Sequence, residues 1–390
     1  MKKGLRFGDI CSRPSEVLAL TSLSMETFLA LVPHFEAVFQ SHMNLWCMDG
    51  KPRKLRRYST YRSCPLPTAE DRLLFLLVYL KTNALQVAHG RMFGMVQCKA
   101  NFWIHLLLPM LGSALEALGH TPCRTLAELA QRLNVTLNEA EQIIEPSEQS
   151  PIQEVVSQIT APESPLTVEE AEQMVDSKEP VQATAQTEEN VPPPTCVEDP
   201  EQRRDEADTP APPSPHAEGP VFCHDGLERR IQRPQDSEEQ ILNYSGKKKT
   251  HTVKNLLLVD ESLTVIFLSD TVAGKMHDKK LADTTPYPLP PDSRLLQDLG
   301  FQGFSLPNVQ TIMPFKKPRG GQLTSEQKEV NRQISSRRVR IEHVNSSVKR
   351  CRVIKDTLRL LKKGIRDFLI EICCALHNFR VSLAPWKEMA

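Results

Sequence analysis

A chain of 390 residues, 40% of them hydrophobic, has room for two or three domains with cores of their own. Lys and Arg number 48, as do Asp and Glu, which excludes a chain that is basic or acidic throughout; yet residues 141–220 carry 19 acidic against 3 basic side chains, so the other 310 hold a net +16, the sign a phosphate-binding surface requires. Ten cysteines without a CxxC pair or finger spacing argue against a disulfide framework or a zinc site, and no apolar run approaches the ~18 residues of a membrane span or follows Met1-Lys2-Lys3 as a signal core, so the expectation is a soluble intracellular protein with reduced thiols.

The first predicted element is a packing helix over residues 23–39, with Phe28, Leu31, Val32, Phe35 and Phe39 at helical spacing. A basic arm follows, with Arg53, Lys54, Arg56 and Arg57 able to lie along a DNA backbone; a solvated loop explains such a run equally well. From Pro67 to Leu118 the pattern changes. Thr68 caps a helix that runs through Leu73–Leu80, Thr82-Asn83 makes a turn, a short helix over 85–93 ends at Gly94, and a third helix starts near Val96. That succession is the layout of a helix-turn-helix, and Gln97, Lys99 and Asn101 occupy the positions of base-reading side chains. Helical bundles give the same pattern. One more amphipathic helix is predicted over 125–144.

Residues 145–219 are rich in Pro, Glu, Gln, Ser and Thr, and they hold too little apolar surface to offset chain entropy; they read as a disordered acidic linker. Strands and helices alternate beyond it. An apolar run ends on Asp225, and Gly226 is expected to turn the chain there. Residues 249–260 and 264–269 read as a hairpin, 274–284 as a loop and helix, 294–297 as a buried strand ending on Asp298, and 309–315 as a fifth strand. Thr324 with Gln327 makes a capping box for a long helix whose apolar face is Val330, Ile334, Ile341, Val344 and Val348. The segment 357–381 is amphipathic and is expected to cover the sheet, with Cys373 and Cys374 in the core.

Two aspartates on strand ends and Glu342 on the long helix, spaced by 73 and 44 residues, suit a site holding two divalent cations for phosphodiester chemistry. The ordinary role of Glu342 is a helix salt bridge to Arg338, and that of Asp278 is helix capping; Asp298 is preferred to Asp278 as second carboxylate because it follows a short apolar strand. The stretches Asp225-Gly226-Leu227-Glu228-Arg229, Tyr244 through Asn255, Gly274 through Lys280, Asp298 through Gly303 and Arg338 through His343 together resemble the insertion-sequence transposases of the DDE superfamily, on the Harbinger-related branch.

The resemblance implies an α/β RNase H-like catalytic domain over 220–390. An all-α helix-turn-helix domain at 67–144 precedes it, an N-terminal helix and basic arm occupy 1–66, and the linker joins the two halves. It also implies Asp225, Asp298 and Glu342 as catalytic, metal-binding residues for two Mg²⁺ (or Mn²⁺) ions. Double-stranded DNA, both element ends and target, is the implied partner, handled by a homo-oligomer with no membrane involved, in the cytoplasm and on the nucleoid if the source is bacterial. Lys247, Lys248, Lys249, Lys254, Lys316, Lys317, Arg319, Arg338 and Lys349 are the expected backbone contacts in this half. The resemblance implies a chain that passes almost directly from the helical region to the first strand, so the linker is a departure. Two other readings stay open: a DNA-binding regulator or decayed copy that no longer cuts, against which the presence of all three carboxylates argues, and a hydrolase that nicks without strand transfer.

Overall fold

The computed structural model describes residues 4–48, 50–54, 57–61, 63–136, 219–360 and 364–386. The expected linker, apart from Gly219, lies outside them, as do Arg56 and the end of the helix expected to reach residue 144. Three helices begin the chain: α1 (Phe7–Ile10), α2 (Pro14–Thr21) and α3 (Met25–Leu45). The Ser24 hydroxyl caps α3 by accepting from the Thr27 N–H, and Phe28, Leu31, Phe35 and Phe39 bury completely along one face.

Helix α4 (Ala69–Thr82) is capped by Thr68, which accepts from the Asp71 N–H, and stops at Asn83 in a left-handed conformation. It is buried all round from Asp71 to Leu80, so its two charged residues need partners. Asp71 accepts from the Phe7 N–H at 2.8 Å, and Arg72 donates to Glu36 at 2.6 Å while lying over the Phe39 ring. Helix α5 (Gln86–Met92), Gly94 at φ +71° and α6 (Gln97–Ala117) follow in the predicted order. Among the described residues no single helix is long and apolar enough to cross a membrane; the bent pair α2–α3 has the length and composition for it, but the apolar face of α3 belongs to the core.

After α7 (Leu126–Leu133) and the undescribed stretch comes a mixed sheet. Strand β1 (Val221–Arg230) pairs antiparallel with β3 (Thr250–Val259), and parallel with β6 (Ser293–Leu296), which pairs parallel with β7 (Val309–Ile312). The far edge of β3 is shared by β2 (Tyr244–Ser245), β4 (Val265–Leu268) and β5 (Val272–Ala273). Two expectations are corrected here. Gly226 does not end the first strand; β1 continues to Arg230, paired with β3 as far as Thr252, because the antiparallel ladder holds it straight. The fifth strand closes at Ile312, short of the expected Phe315, whose N–H is taken instead by the Asn331 side chain.

Alternate residues of β3 feed two cores, as a sheet covered on both faces requires. Leu257 and Val259 pack with α10 (Ser325–Val348), α11 (Arg352–Lys355) and α12 (Ile365–Leu383); Leu256 and Leu258 pack with α7, α9 (Asp278–Asp283), Phe301 and Phe304. Helix α8 (Ser237–Asn243) lies before β2 and was not anticipated.

The described residues fall in one compact unit, and the first core is continuous from Phe28 and Leu107 to Phe368 and Leu376. Polar contacts join the helical and α/β regions. Cys123 exchanges main-chain hydrogen bonds with Ile266 and Leu268, and the Asn378 side chain bonds to the carbonyls of His120 and Val265. Arg124 donates to the carbonyls of Leu268 and Ser269 and to Asp270 and Asp367.

Candidate active site

The 73-residue spacing of Asp225 and Asp298 has a structural meaning. Val221 pairs with Arg294, Phe222 with Leu295 and Cys223 with Leu296, each partner 73 positions on, so extending that register sets Asp225 opposite Asp298. Both lie where the parallel strands end and β6 leaves β1, the carboxyl edge where sites form in such sheets. The residues just before them bond to each other: His224 Nε2 lies 3.0 Å from Gln297 Oε1. The imidazole is fully buried and stacks on Phe301 at 4.0 Å, and burial pushes its pKa down to about 3, so it is a neutral wedge that fixes the register.

Asp225 Oδ1 accepts from the Gly226 N–H at 2.9 Å, and Oδ2 accepts from Asn345 Nδ2 of α10 at 2.7 Å. Asp298 opens a single turn of 3₁₀ helix over Leu299–Phe301, and its Oδ1 accepts from the Gly300 N–H at 2.7 Å. Its other oxygen is 4.0 Å from the Arg338 guanidinium. Arg338, partly exposed, therefore turns to Asp298, and the helix salt bridge to Glu342 is not formed.

Asp278 sits here too. Its carboxylate pairs with Lys254 Nζ at 3.1 Å, and that ammonium also donates to the Met276 carbonyl at 2.9 Å. A Cβ added at Gly226 would stand 3.0 Å from Asp278 Oδ1, and one at Gly300 would stand 3.4 Å from Oδ2. Gly226 thus leaves room for a third aspartate rather than making a turn, while Gly300 lies in the 3₁₀ turn, where an added Cβ would crowd Asp298 Oδ1 at 2.8 Å. Helix α9 is capped at His277 with no side-chain bond, so the capping role expected of Asp278 is replaced by the Lys254 pair. The sequence signal was available: Asp-Gly and Asp-x-Gly, each beside a small-residue gap, with a lone Lys in an apolar strand.

Burial first, and then the charge of Asp298, push the Asp225 carboxyl up to about 6; Asp278 adds to the rise, while the Gly226 N–H and Arg338 oppose it. A carboxylate crowded by two others in a half-dry site favours a proton or a cation. Hard oxygen donors of this kind fit Mg²⁺ or Mn²⁺. Among the described residues, however, no three His, Cys, Asp or Glu side chains are gathered closely enough to hold a metal ion as they stand.

Glu342 is exposed on α10, four residues after Arg338 and three before Asn345, on the stripe that also carries Lys349. The apolar side of the helix is Ile334, Ile341, Val344 and Val348, all buried. No described hydrogen bond or ion pair joins Glu342 to either aspartate. Asn345, not singled out in the sequence, is the α10 residue that touches Asp225.

The expected DNA contacts are scattered. Gln97 and Asn101 are exposed on the first turns of α6, Asn101 accepting from Gln86 at 2.9 Å, and the Lys99 ammonium is 5.4 Å from the Tyr61 ring centroid. Lys54 and Arg57 are exposed, but Arg53 donates to the Met43 and Trp46 carbonyls and so closes the end of α3. Lys247, Lys248 and Lys249 are exposed in the turn between β2 and β3, and Lys349 is half-buried near Asp225. Lys254 belongs to the site itself.

A covered mixed sheet with paired aspartates at its parallel carboxyl edge defines an acidic α/β site. Residues 224–378, which include every residue of that site, match the family model of the DDE superfamily endonucleases. Over 161 residues the chain is 30% identical to the probable transposase for insertion sequence element IS702 from Microchaete diplosiphon. The match covers 41% of this chain and 56% of that protein, so the chain spans little more than half the length of the curated relative. No solved structure matches the chain.

Proposed function

We propose that the protein is a DNA transposase that cuts the ends of its element and joins them to target DNA. The observation that carries this reading is the parallel β1–β6 register, which ends at Cys223 and Leu296 and so leaves Asp225 and Asp298 two residues beyond it on neighbouring strands, beside Arg338 and Asn345 of α10. The strand order, three antiparallel strands followed by two parallel ones with β1 at the centre, supports an RNase H-like fold, and the motif pattern supports the Harbinger-related branch.

Asp225, Asp298 and Glu342 would hold two Mg²⁺ or Mn²⁺ ions, whose chemistry here is to acidify a bound water or hydroxyl and neutralise phosphoryl charge. The protein's own part is orientation. Asn345 and the Gly226 N–H hold Asp225, the Gly300 N–H holds Asp298, and His224–Gln297 keeps the two strands in step. In the first step water adds to phosphorus and the 3′-oxygen leaves as a hydroxyl; in the second that hydroxyl attacks a target phosphate in line and displaces another 3′-oxygen. Neither step needs a covalent protein intermediate. Recognition of element ends falls to α5–α6 as a helix-turn-helix, with Gln97, Lys99 and Asn101 toward the bases and Lys54, Arg56 and Arg57 toward the backbone. A homo-oligomer would bridge two ends, in the cytoplasm at the nucleoid if the source is bacterial.

The test is incubation of the full chain with Mg²⁺ and the DNA flanking its own gene. Joined products are expected, and Asp225→Asn, Asp298→Asn and Glu342→Gln should each abolish cleavage while DNA affinity persists. Binding without cutting by the wild type would favour a regulator, and cutting without joining a simple nuclease. Normal cleavage by Asp225→Asn would sink the nuclease reading.

A further inference from the structure

Two grooves flank the acidic site along α10. The first, of about 460 Å³, lies beside the middle of the helix, where Arg337 and Arg340 look across to Arg294 over a floor of Val221, Leu263 and Leu296. The second, of about 520 Å³, lies at the end of the helix, where Lys349 and Lys355 look across to Arg230 and Lys248.

Each groove also has two carboxylates, which leaves a surplus of cations, three against two in the first and four against two in the second. Asp260 accepts from the Ser262 hydroxyl and the Thr264 N–H, and Glu261 from the Val221 N–H. Glu228 accepts from the Thr252 hydroxyl at 2.6 Å, and Asp356 pairs with Arg352 at 2.9 Å. Arg294 and Arg340 donate to main-chain carbonyls of Gly219 and Glu261. None of the seven groove cations is within ion-pair distance of a carboxylate among the described residues. The cations lie close enough to act on one another: burial lowers the pKa of Lys349, Asp225 and Glu228 pull it back, and Lys248 and Lys355 press it down. Such a surplus draws a polyanion.

The spacing suits a polymer. Arg340 and Lys349 are nine residues apart on α10, about 14 Å at 1.5 Å per residue, with Glu342 and Asn345 between them. Asp225 and Arg230 are five residues apart on β1, about 17 Å at 3.3 Å per residue. Each groove is thus within a few nucleotides of the acidic site, on opposite sides of it.

We propose that the two grooves hold one DNA duplex on either side of the scissile phosphate, the Arg294–Arg337–Arg340 groove taking the backbone of one flank and the Arg230–Lys248–Lys349–Lys355 groove that of the other. This rests on the nuclease reading above and adds to it a division of the two flanks between named residues. The test is phosphate-ethylation interference with the full chain, without metal, on a duplex covering the element terminus, with the cut phosphate marked separately in Mg²⁺. The expected wild-type result is two patches of sensitive phosphates, one on each side of the cut. Arg337→Ala with Arg340→Ala should erase one patch, and Arg230→Ala with Lys355→Ala the other. Each pair should flatten the slope of log affinity against log salt by about 1.8, at ~0.9 per lost phosphate contact. Lysine in place of the arginines, preserving charge, should restore the corresponding patch. If both pairs erase the same patch, or thin both equally, or change neither, the division is wrong. If the wild type binds with two patches but never cuts, the nuclease reading fails while the grooves stand, the midpoint of the footprint then serving as centre.

Discussion

Asp225 should make the metal-free protein less stable, and replacing its charge should show by how much. The carboxyl rises from 3.8 to about 6 in the folded chain, roughly two units, or about 3 kcal/mol at ~1.36 kcal/mol per unit. The native value lies above the unfolded one, so the folded chain holds the extra proton between about pH 4 and 6. The stability linked to that proton is complete at low pH and is lost as pH rises through 6. At pH 7.5 the ionised Asp225 therefore costs about 3 kcal/mol, falling to about 1 kcal/mol at pH 4.5. Asp225→Asn removes the charge and keeps an oxygen for the Gly226 N–H. Its new amide can donate to Asn345 Oδ1, a buried oxygen now without a partner, after Asn345 flips. The net gain at pH 7.5 is about 2–3 kcal/mol, a Tm rise of roughly 5 °C or more for a domain of this size. Circular-dichroism melts in EDTA at the two pH values measure it. Mg²⁺ added at pH 7.5 should then raise the Tm of the wild type and leave the variant unchanged. A variant that is no more stable at pH 7.5, or equally favoured at pH 4.5, would refute the claim that crowded charge, rather than packing, dominates this residue.

Other outcomes follow from buried polar groups and the shared core. Glu371 of α12 is buried with Oε2 unpartnered, and burial pushes it up to about 7, so Glu371→Gln should stabilise the chain at pH 9 and lose most of that advantage by pH 5; equal gains at both pH values in thermal melts would contradict this. Gln297→Leu removes the partner of His224 and frees the β1–β6 register, so cleavage should slow by at least tenfold with DNA affinity unchanged, and full activity would remove His224–Gln297 from the positioning role. Fragments 1–136 and 219–390, co-expressed, should purify together because α6 and α12 bury one common core; a soluble, monodisperse 219–390 on its own would show that they do not depend on each other.

The elements were legible in the sequence where their periodicity is local. Helices α4, α5, α6 and α10 lie within a few residues of their predicted spans because capping groups (Thr68, Thr324) and left-handed stops (Asn83, Gly94) are written in neighbouring residues, whereas α3 runs six residues past its expected end at Phe39, to Leu45. The pairing of Asp225 and Asp298 could be suspected because each ends an apolar run. That their spacing equals a strand register could not be read, since a parallel pair leaves no mark in either strand alone. The same limit hid the true end of β1. Asp-Gly is a turn signal in isolation, and here the glycine is spent on giving room to Asp278, which arrives from 52 positions away. The joint core was hidden for a related reason: the apolar residues of α6 and α12 announce that each is buried, but not that they are buried against each other.

Helix α10 shows how the readable and unreadable parts combine. A residue every three or four positions shares a face, so Arg338, Glu342, Asn345 and Lys349 had to form a stripe once a helix was predicted. What the stripe meets depends on the sheet beneath it. Arg338 meets Asp298, Asn345 meets Asp225 and Lys349 lies near Asp225, so three of the four residues already touch or sense the paired aspartates. Glu342 stands between them with its carboxylate in solvent, and its closest helical neighbour, Arg338, is occupied. Glu342 is thus the one acid of the stripe with neither aspartate nor Arg338 as partner, and if it is the third carboxylate of the proposed site, Glu342→Gln should abolish Mg²⁺-dependent cleavage while DNA affinity and the Asn345–Asp225 contact persist.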